Sequence, residues 1–97
     1  MTGNSENILR FSGSMSIVNV TVLLKAGQEF LFSQKGKGEI IFNLSEVEEV
    51  DSSALCVLFS LLRSAQELGI KTRITHPPSS MISLAQLYGV SDALPFV

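Results

Sequence analysis

The run EIIFNLSEVEEVDSSAL, residues 39–55, sets the fold of this chain. Its first part, Glu39-Ile40-Ile41-Phe42-Asn43-Leu44, is nearly continuous in apolar side chains, the pattern of a strand covered on both faces. Its end, Val50-Asp51-Ser52-Ser53-Ala54-Leu55, opens an apolar-periodic segment that closes at Leu68-Gly69. An Asp-Ser-Ser step between strand and helix supplies oxygens where first-turn N–H groups lack intrahelical partners, so Asp51 or Ser52 is expected to cap. Gly69 stands where a helix end favours glycine. The same step can bind an anion, accept a phosphoryl group, or simply cap. Glu46, Glu48 and Glu49 read as a solvated acidic turn.

Upstream, residues 1–7 are polar and expected to fray. Ile8-Leu9-Arg10-Phe11 reads as a strand stopped by Ser12-Gly13-Ser14, with Met15 and Ile17 either extending it or pairing back. In residues 18–32, Val18, Val20 and Val22 alternate as in a strand, whereas Val20, Leu23, Leu24, Phe30 and Leu31 form a helical stripe. A helix is the reading, although Gly27 weakens it by about 1 kcal/mol relative to alanine. Residues 33–38 form a polar loop. Its paired lysines and glycines invite comparison with a phosphate cradle, but the P-loop spacing is absent and a solvated turn is expected.

Downstream, Lys71 to Thr75 alternates, with Thr72, Ile74 and His76 on one side. Pro77-Pro78 breaks the chain. Ser79 or Ser80 then starts a helix carrying Ile82, Leu84, Ala85, Leu87 and Tyr88, ended by Gly89. Residues 93–97 are apolar enough to dock as a last edge strand. Strands alternating with helices give an α/β domain with a central, partly parallel sheet.

The 97 residues leave room for one domain, 1–97. Net charge is −2 with no basic stripe, which argues against nucleic acid as a partner. One cysteine, Cys56, excludes an internal disulfide and fits a reducing cytosol. The N-terminus lacks a signal peptide's basic and apolar regions. No apolar stretch approaches the roughly 20 residues that span a bilayer, so membrane association is expected only through a protein partner. A cytoplasmic domain is the expectation.

On a helical wheel, Ala54, Leu58, Leu61, Leu62, Ala65 and Leu68 make the core stripe of the helix after Asp51, with Leu55 at its border. Ser53, Cys56, Ser60, Arg63, Ser64 and Glu67 lie opposite. Near the N-terminus this outer ridge is small and smooth, with Phe59 flanking near Ser52, and suits docking of another protein. Its bland alternative is a moderately polar solvated face. Asp51, Ser52, Ser53 and His76 contain the residue types of a hydrolase triad. No Gly-x-Ser-x-Gly elbow surrounds the serines, so no catalytic residues are assigned. One histidine and one cysteine give no zinc constellation, and no EF-hand spacing is present; no metal or cofactor is expected.

Ile40 to Leu44, Val47, Val50-Asp51-Ser52-Ser53-Ala54-Leu55 and the helix to Gly69 resemble the STAS domain. The likeness extends back to Leu9-Arg10-Phe11-Ser12-Gly13 and forward to the last helix. It implies a small mixed sheet of four to five strands with about three helices on one face. Two branches of the family compete. The ending Leu84-Ala85-Gln86-Leu87-Tyr88-Gly89-Val90, followed by Leu94-Pro95, is similar to the small STAS subunit of Mla-type phospholipid ABC transporters. That branch implies a non-enzymatic subunit docking on the transporter's ATPase through Asp51, Ser52, Ser53, Cys56, Phe59 and Ser60, with Ser52 foremost. Such a subunit would be cytoplasmic and peripheral to the inner membrane through its partner. The alternative branch, anti-sigma factor antagonists, implies a switch by phosphorylation at Ser53 by an anti-sigma serine kinase. Ala54 departs from both, where glycine is usual. A nucleotide- or lipid-binding module, resting on residues 35–38 and the helix N-terminus, is a third reading.

Overall fold

A computed structural model describes residues 4–5, 7–34 and 38–96. Strand β1 (Asn4–Ser5) runs antiparallel to β2 (Ile8–Met15), and β3 (Glu39–Val50) and β4 (Lys71–Thr75) continue the sheet in parallel, in the order β1-β2-β3-β4. Helix α1 (Val20–Ser33) joins β2 to β3, α2 (Ser52–Glu67) joins β3 to β4, and α3 (Ser79–Leu87) follows β4. Both crossovers step the same way across the sheet, so right-handed connections put α1 and α2 on one face. Helix α2 touches both α1 and α3, and the three make one layer. The α/β class and the mixed sheet are as expected, β1 contributing only two residues.

Between the layers, Leu9 and Phe11 of β2, Ile40, Phe42 and Leu44 of β3, and Ile74 of β4 are fully enclosed. Phe11 and Phe42 meet edge to face at 5.9 Å, a geometry that adds to their burial. The other face carries Arg10, Asn43 and Arg73, exposed or half-buried. Arg73 pairs there with Glu39 at 2.8 Å. Coverage of both faces, expected from the apolar run, is therefore corrected: Ile41 is only half-buried.

The acidic turn is also corrected, because Glu46, Glu48 and Glu49 lie within β3. Between Arg10 and Ser12 of β2 the partner strand advances from Asn43 to Glu46, and between Gly13 and Ser14 it advances from Val47 to Glu49. Each step inserts an extra residue into β3, a bulge that reverses which face the next side chains take. Hence burial passes from Leu44 to Val47, and Val50 packs against the core. On the facing strand Gly13 adopts φ +74, which only glycine takes readily. The Ser12-Gly13-Ser14 stop is thus a kink, and the strand runs on to a fully buried Met15.

Residues 4 and 5 pair with Leu9 and Ile8, so the expected fraying of 1–7 fails for these two; residues 1–3 and 6 lie outside the described residues. The helix expected over residues 18–32 is present from Val20. Its Gly27 is buried where α1 crosses Leu61 of α2. In α2 the buried positions are Ala54, Leu55, Val57, Leu58, Leu61 and Ala65; Leu62 and Leu68 are only half-buried. The buried arc turns toward Val57 because α2 is flanked on both sides. Burying Leu58 and Leu61 stabilises the fold by about 1.5–3 kcal/mol each. Gly69 ends α2 as expected, with φ +73, while Ile70 N–H donates back to Ala65 O at 2.8 Å.

His76 does not continue the face of β4. It lies past the strand end with φ 55, exposed before Pro77. In α3, Met81 and Ala85 are buried and Leu84 half-buried, whereas Ile82, Leu87 and Tyr88 face solvent. The tail makes a 3-10 turn over Ser91–Ala93, buries Leu94, and meets β4 through one bridge, Ile74 to Phe96. Among the described residues it forms a single isolated bridge rather than the expected strand, and Val97 lies outside them. The Lys35 and Lys37 loop lies outside them too.

Candidate functional site

Met15 of β2 pairs with Val50 of β3, so both strands end level and the loop 16–19 emerges beside the start of α2. Asp51 occupies the junction with extended backbone, φ −131 and ψ −172. Its Oδ1 accepts from Ser53 N–H at 2.8 Å and its Oδ2 from Ile17 N–H at 3.1 Å. Its own N–H donates to Met15 O at 3.2 Å. The Ile17 N–H, opposed by desolvation and aided by the Ser53 N–H and hydroxyl, holds the Asp51 carboxyl below its ordinary value. Asp51 is therefore the cap, leaving Ser52 exposed and unneeded for capping; Ser53 is half-buried.

Along α2 from this point runs an open groove of about 370 Å³, lined by Ser52, Leu55, Cys56, Phe59, Tyr88 and Val90. Tyr88 and Val90 reach it through the end of α3. Gly89 turns with φ +69, and Val90 N–H donates to Ala85 O at 2.8 Å, folding Val90 back against the core. The structure thus brings together Ser52, Cys56 and Phe59 of the expected set and places Asp51 at their head. Ser53 and Ser60 are half-buried and do not line the groove.

Sequence reasoning missed Tyr88 and Val90 as lining residues. A wheel drawn with Met81 and Ala85 inward leaves Leu87 off the buried stripe but keeps Tyr88 on it, so no local signal marked Tyr88 as a lining residue. It also missed a patch on the other side of Asp51, where Ile17 and Val18 are 67% and 85% exposed and Val22 follows one turn into α1 at 69%. Their alternation suggested a strand and concealed their exposure.

The triad residue types do not converge. Thr75 pairs with Asn43, so His76 stands level with Leu44, seven residues or roughly 20 Å of strand short of Asp51. Among the described residues no cluster of His, Cys, Asp and Glu is placed to hold a metal ion, and no helix is long and apolar enough to cross a membrane.

The arrangement of sheet and helices recurs in known proteins. The sequence pattern of the STAS domain matches residues 2–97. The chain belongs to the STAS domain family. Among curated relatives, this STAS chain is 37% identical over 51 residues to the intermembrane phospholipid transport system binding protein MlaB of Haemophilus influenzae, covering 53% of this chain. The match spans only 49% of that protein's length. The anti-sigma factor antagonist SpoIIAA, unphosphorylated, superposes with TM-score 0.75 at 16% identity, covering 100% of this chain and 86% of that one. A sulfate transporter family protein from Wolinella succinogenes gives 0.72 at 14% identity, covering 93% and 74%. At such identities these likenesses establish the STAS fold alone.

Proposed function

We propose that residues 1–97 act as one non-enzymatic STAS domain that docks on the ATPase subunit of a bacterial phospholipid-transport ABC complex, of the kind that maintains outer-membrane lipid asymmetry. The observation that carries this reading is the junction of exposed Ser52 with the apolar groove of Cys56, Phe59, Tyr88 and Val90. An uncharged groove beside a helix start suits burial against a protein, because covering it desolvates no ion. The likeness to MlaB supports the transport setting. Ser52 is the first contact, Cys56, Phe59, Ser53 and Ser60 adjoin it, and Asp51 heads the face. The domain works in the cytoplasm, at the inner membrane only through its partner.

Ser52→Arg tests the reading, since a long cation at an exposed first-turn position blocks the groove mouth while costing a few tenths of a kcal/mol against the helix dipole. The variant is expected to melt like wild type yet fail to bind the purified ATPase subunit from the same organism. Undiminished binding would remove Ser52 from the interface. A second reading, an anti-sigma factor antagonist switched at Ser53, is favoured by the Asp51–Ser53 contact: phosphate there would set about −1.5 to −2 charges against the carboxylate. Mass spectrometry of the protein isolated from its host, with an anti-sigma serine kinase bound and phosphate on Ser53, would establish that reading instead.

A further inference from the structure

We infer that Asp51 is a positioning residue for this docking face: its carboxylate ties the Ile17–Val18 loop to the first turn of α2, presenting the apolar patches on either side of Ser52 as one preformed surface. The consequence for binding rests on the docking reading above; the tie itself does not. Capping needs only one oxygen, and Oδ1 supplies it at 2.8 Å to Ser53 N–H. The second oxygen is committed to Ile17 N–H, 34 positions earlier in the chain.

The loop is built to receive that bond. Asn19 N–H donates to Ser16 O at 2.9 Å, Asn19 Nδ2 donates to Ser14 O at 2.9 Å, and Ser14 Oγ donates to Ser16 Oγ at 2.8 Å. These bonds fix the backbone so that Ile17 N–H faces α2 while the Ile17 and Val18 side chains stand in solvent. Both side chains are β-branched and have few rotamers to lose, so covering them on a fixed backbone is entropically cheap. The occupant is the same ATPase partner that fills the groove, because the first turn of α2 is continuous with both patches. The Asp51 charge itself is satisfied by backbone donors and is not left for a partner's cation. The partner's surface opposite Ile17 and Val18 is therefore apolar rather than basic.

Asp51→Asn separates capping from tying. Asparagine caps as well as aspartate through Oδ1, but its Nδ2 would point a donor at the Ile17 donor. Amide exchange followed by NMR, and affinity for the purified ATPase subunit, are measured on wild type, Asp51→Asn and Val18→Ser. In Asp51→Asn the Ile17 amide is expected to exchange roughly tenfold faster, the loss of one charge-assisted bond, with Ser53 and Asn19 amides unchanged. ATPase affinity is expected to fall about tenfold in both variants. An Ile17 amide as slow in Asp51→Asn as in wild type overturns the tie. Full affinity in either variant overturns its role in binding. If wild type itself fails to bind the ATPase, the docking reading falls, and the Ile17 amide still decides the tie alone.

Discussion

Replacing Gly27 with alanine sets two effects against each other, and the structure decides the sign. In a solvent-facing helix the change would stabilise by about 1 kcal/mol, because alanine is the better helix former. Here a Cβ would lie 2.6 and 2.7 Å from the two Cδ atoms of Leu61 and 3.2 Å from its Cγ. Carbon atoms prefer about 3.5–4.0 Å, so the Leu61 side chain must retreat by roughly 1 Å. Turning χ2 clears one methyl and leaves Cγ too close. Leu61 is fully buried, so its displaced methyls enter occupied space. Overpacking of this kind costs about 1–3 kcal/mol. The expected net result is a loss of about 1 kcal/mol, a fall in melting temperature of about 4–8 °C for a domain this size. Urea unfolding of Gly27→Ala, Leu61→Ala and the double variant measures it. With Leu61 cut back, the Cβ finds room and Gly27→Ala should stabilise, giving a coupling of about 2 kcal/mol. Stabilisation by Gly27→Ala in the wild-type background would refute the close-approach explanation.

Two more expectations follow from the site. The folded Asp51 pKa lies below its ordinary 3.8, so its contribution is complete above that pH and lost as pH falls through the lower folded value. The difference in urea midpoint between wild type and Asp51→Ala should therefore be constant from neutrality to about pH 5 and shrink below pH 3.8; a difference unchanged at about pH 2.5 would contradict it. Tyr88→Ser removes an exposed groove residue, so unfolding should shift by under about 0.5 kcal/mol while ATPase binding weakens by about 1–2 kcal/mol, measured by titration calorimetry.

Elements fixed by local chemistry were legible in the chain itself. The apolar run of β3, the Asp51 junction, the glycine-ended α2 and the order of strands and helices follow from propensity, capping and periodicity, which act over a few residues. They sufficed for the α/β class and for Cys56 on an outer ridge with Phe59 flanking near Ser52. That ridge also held Ser53 and Ser60, which do not line the groove. Register and neighbours were not legible. The bulges that carry β3 through Glu46, Glu48 and Glu49 depend on pairing with β2, so local alternation mistook them for a turn. Tyr88 continues the stripe of Met81 and Ala85 and looks like a core residue, yet it lies past the end of α3 and stays exposed.

Likewise Asp51 announces a cap from its position alone, because the unpaired N–H groups of α2 lie within its own turn. That its other oxygen holds Ile17 required β2 and β3 to end level, a long-range register that no local pattern encodes. The sequence by itself determined which segments become strands and helices and where α2 begins, since those energies are local. Only the tertiary structure decided which apolar side chains stay uncovered beside that helix, since burial depends on what the rest of the chain brings against them.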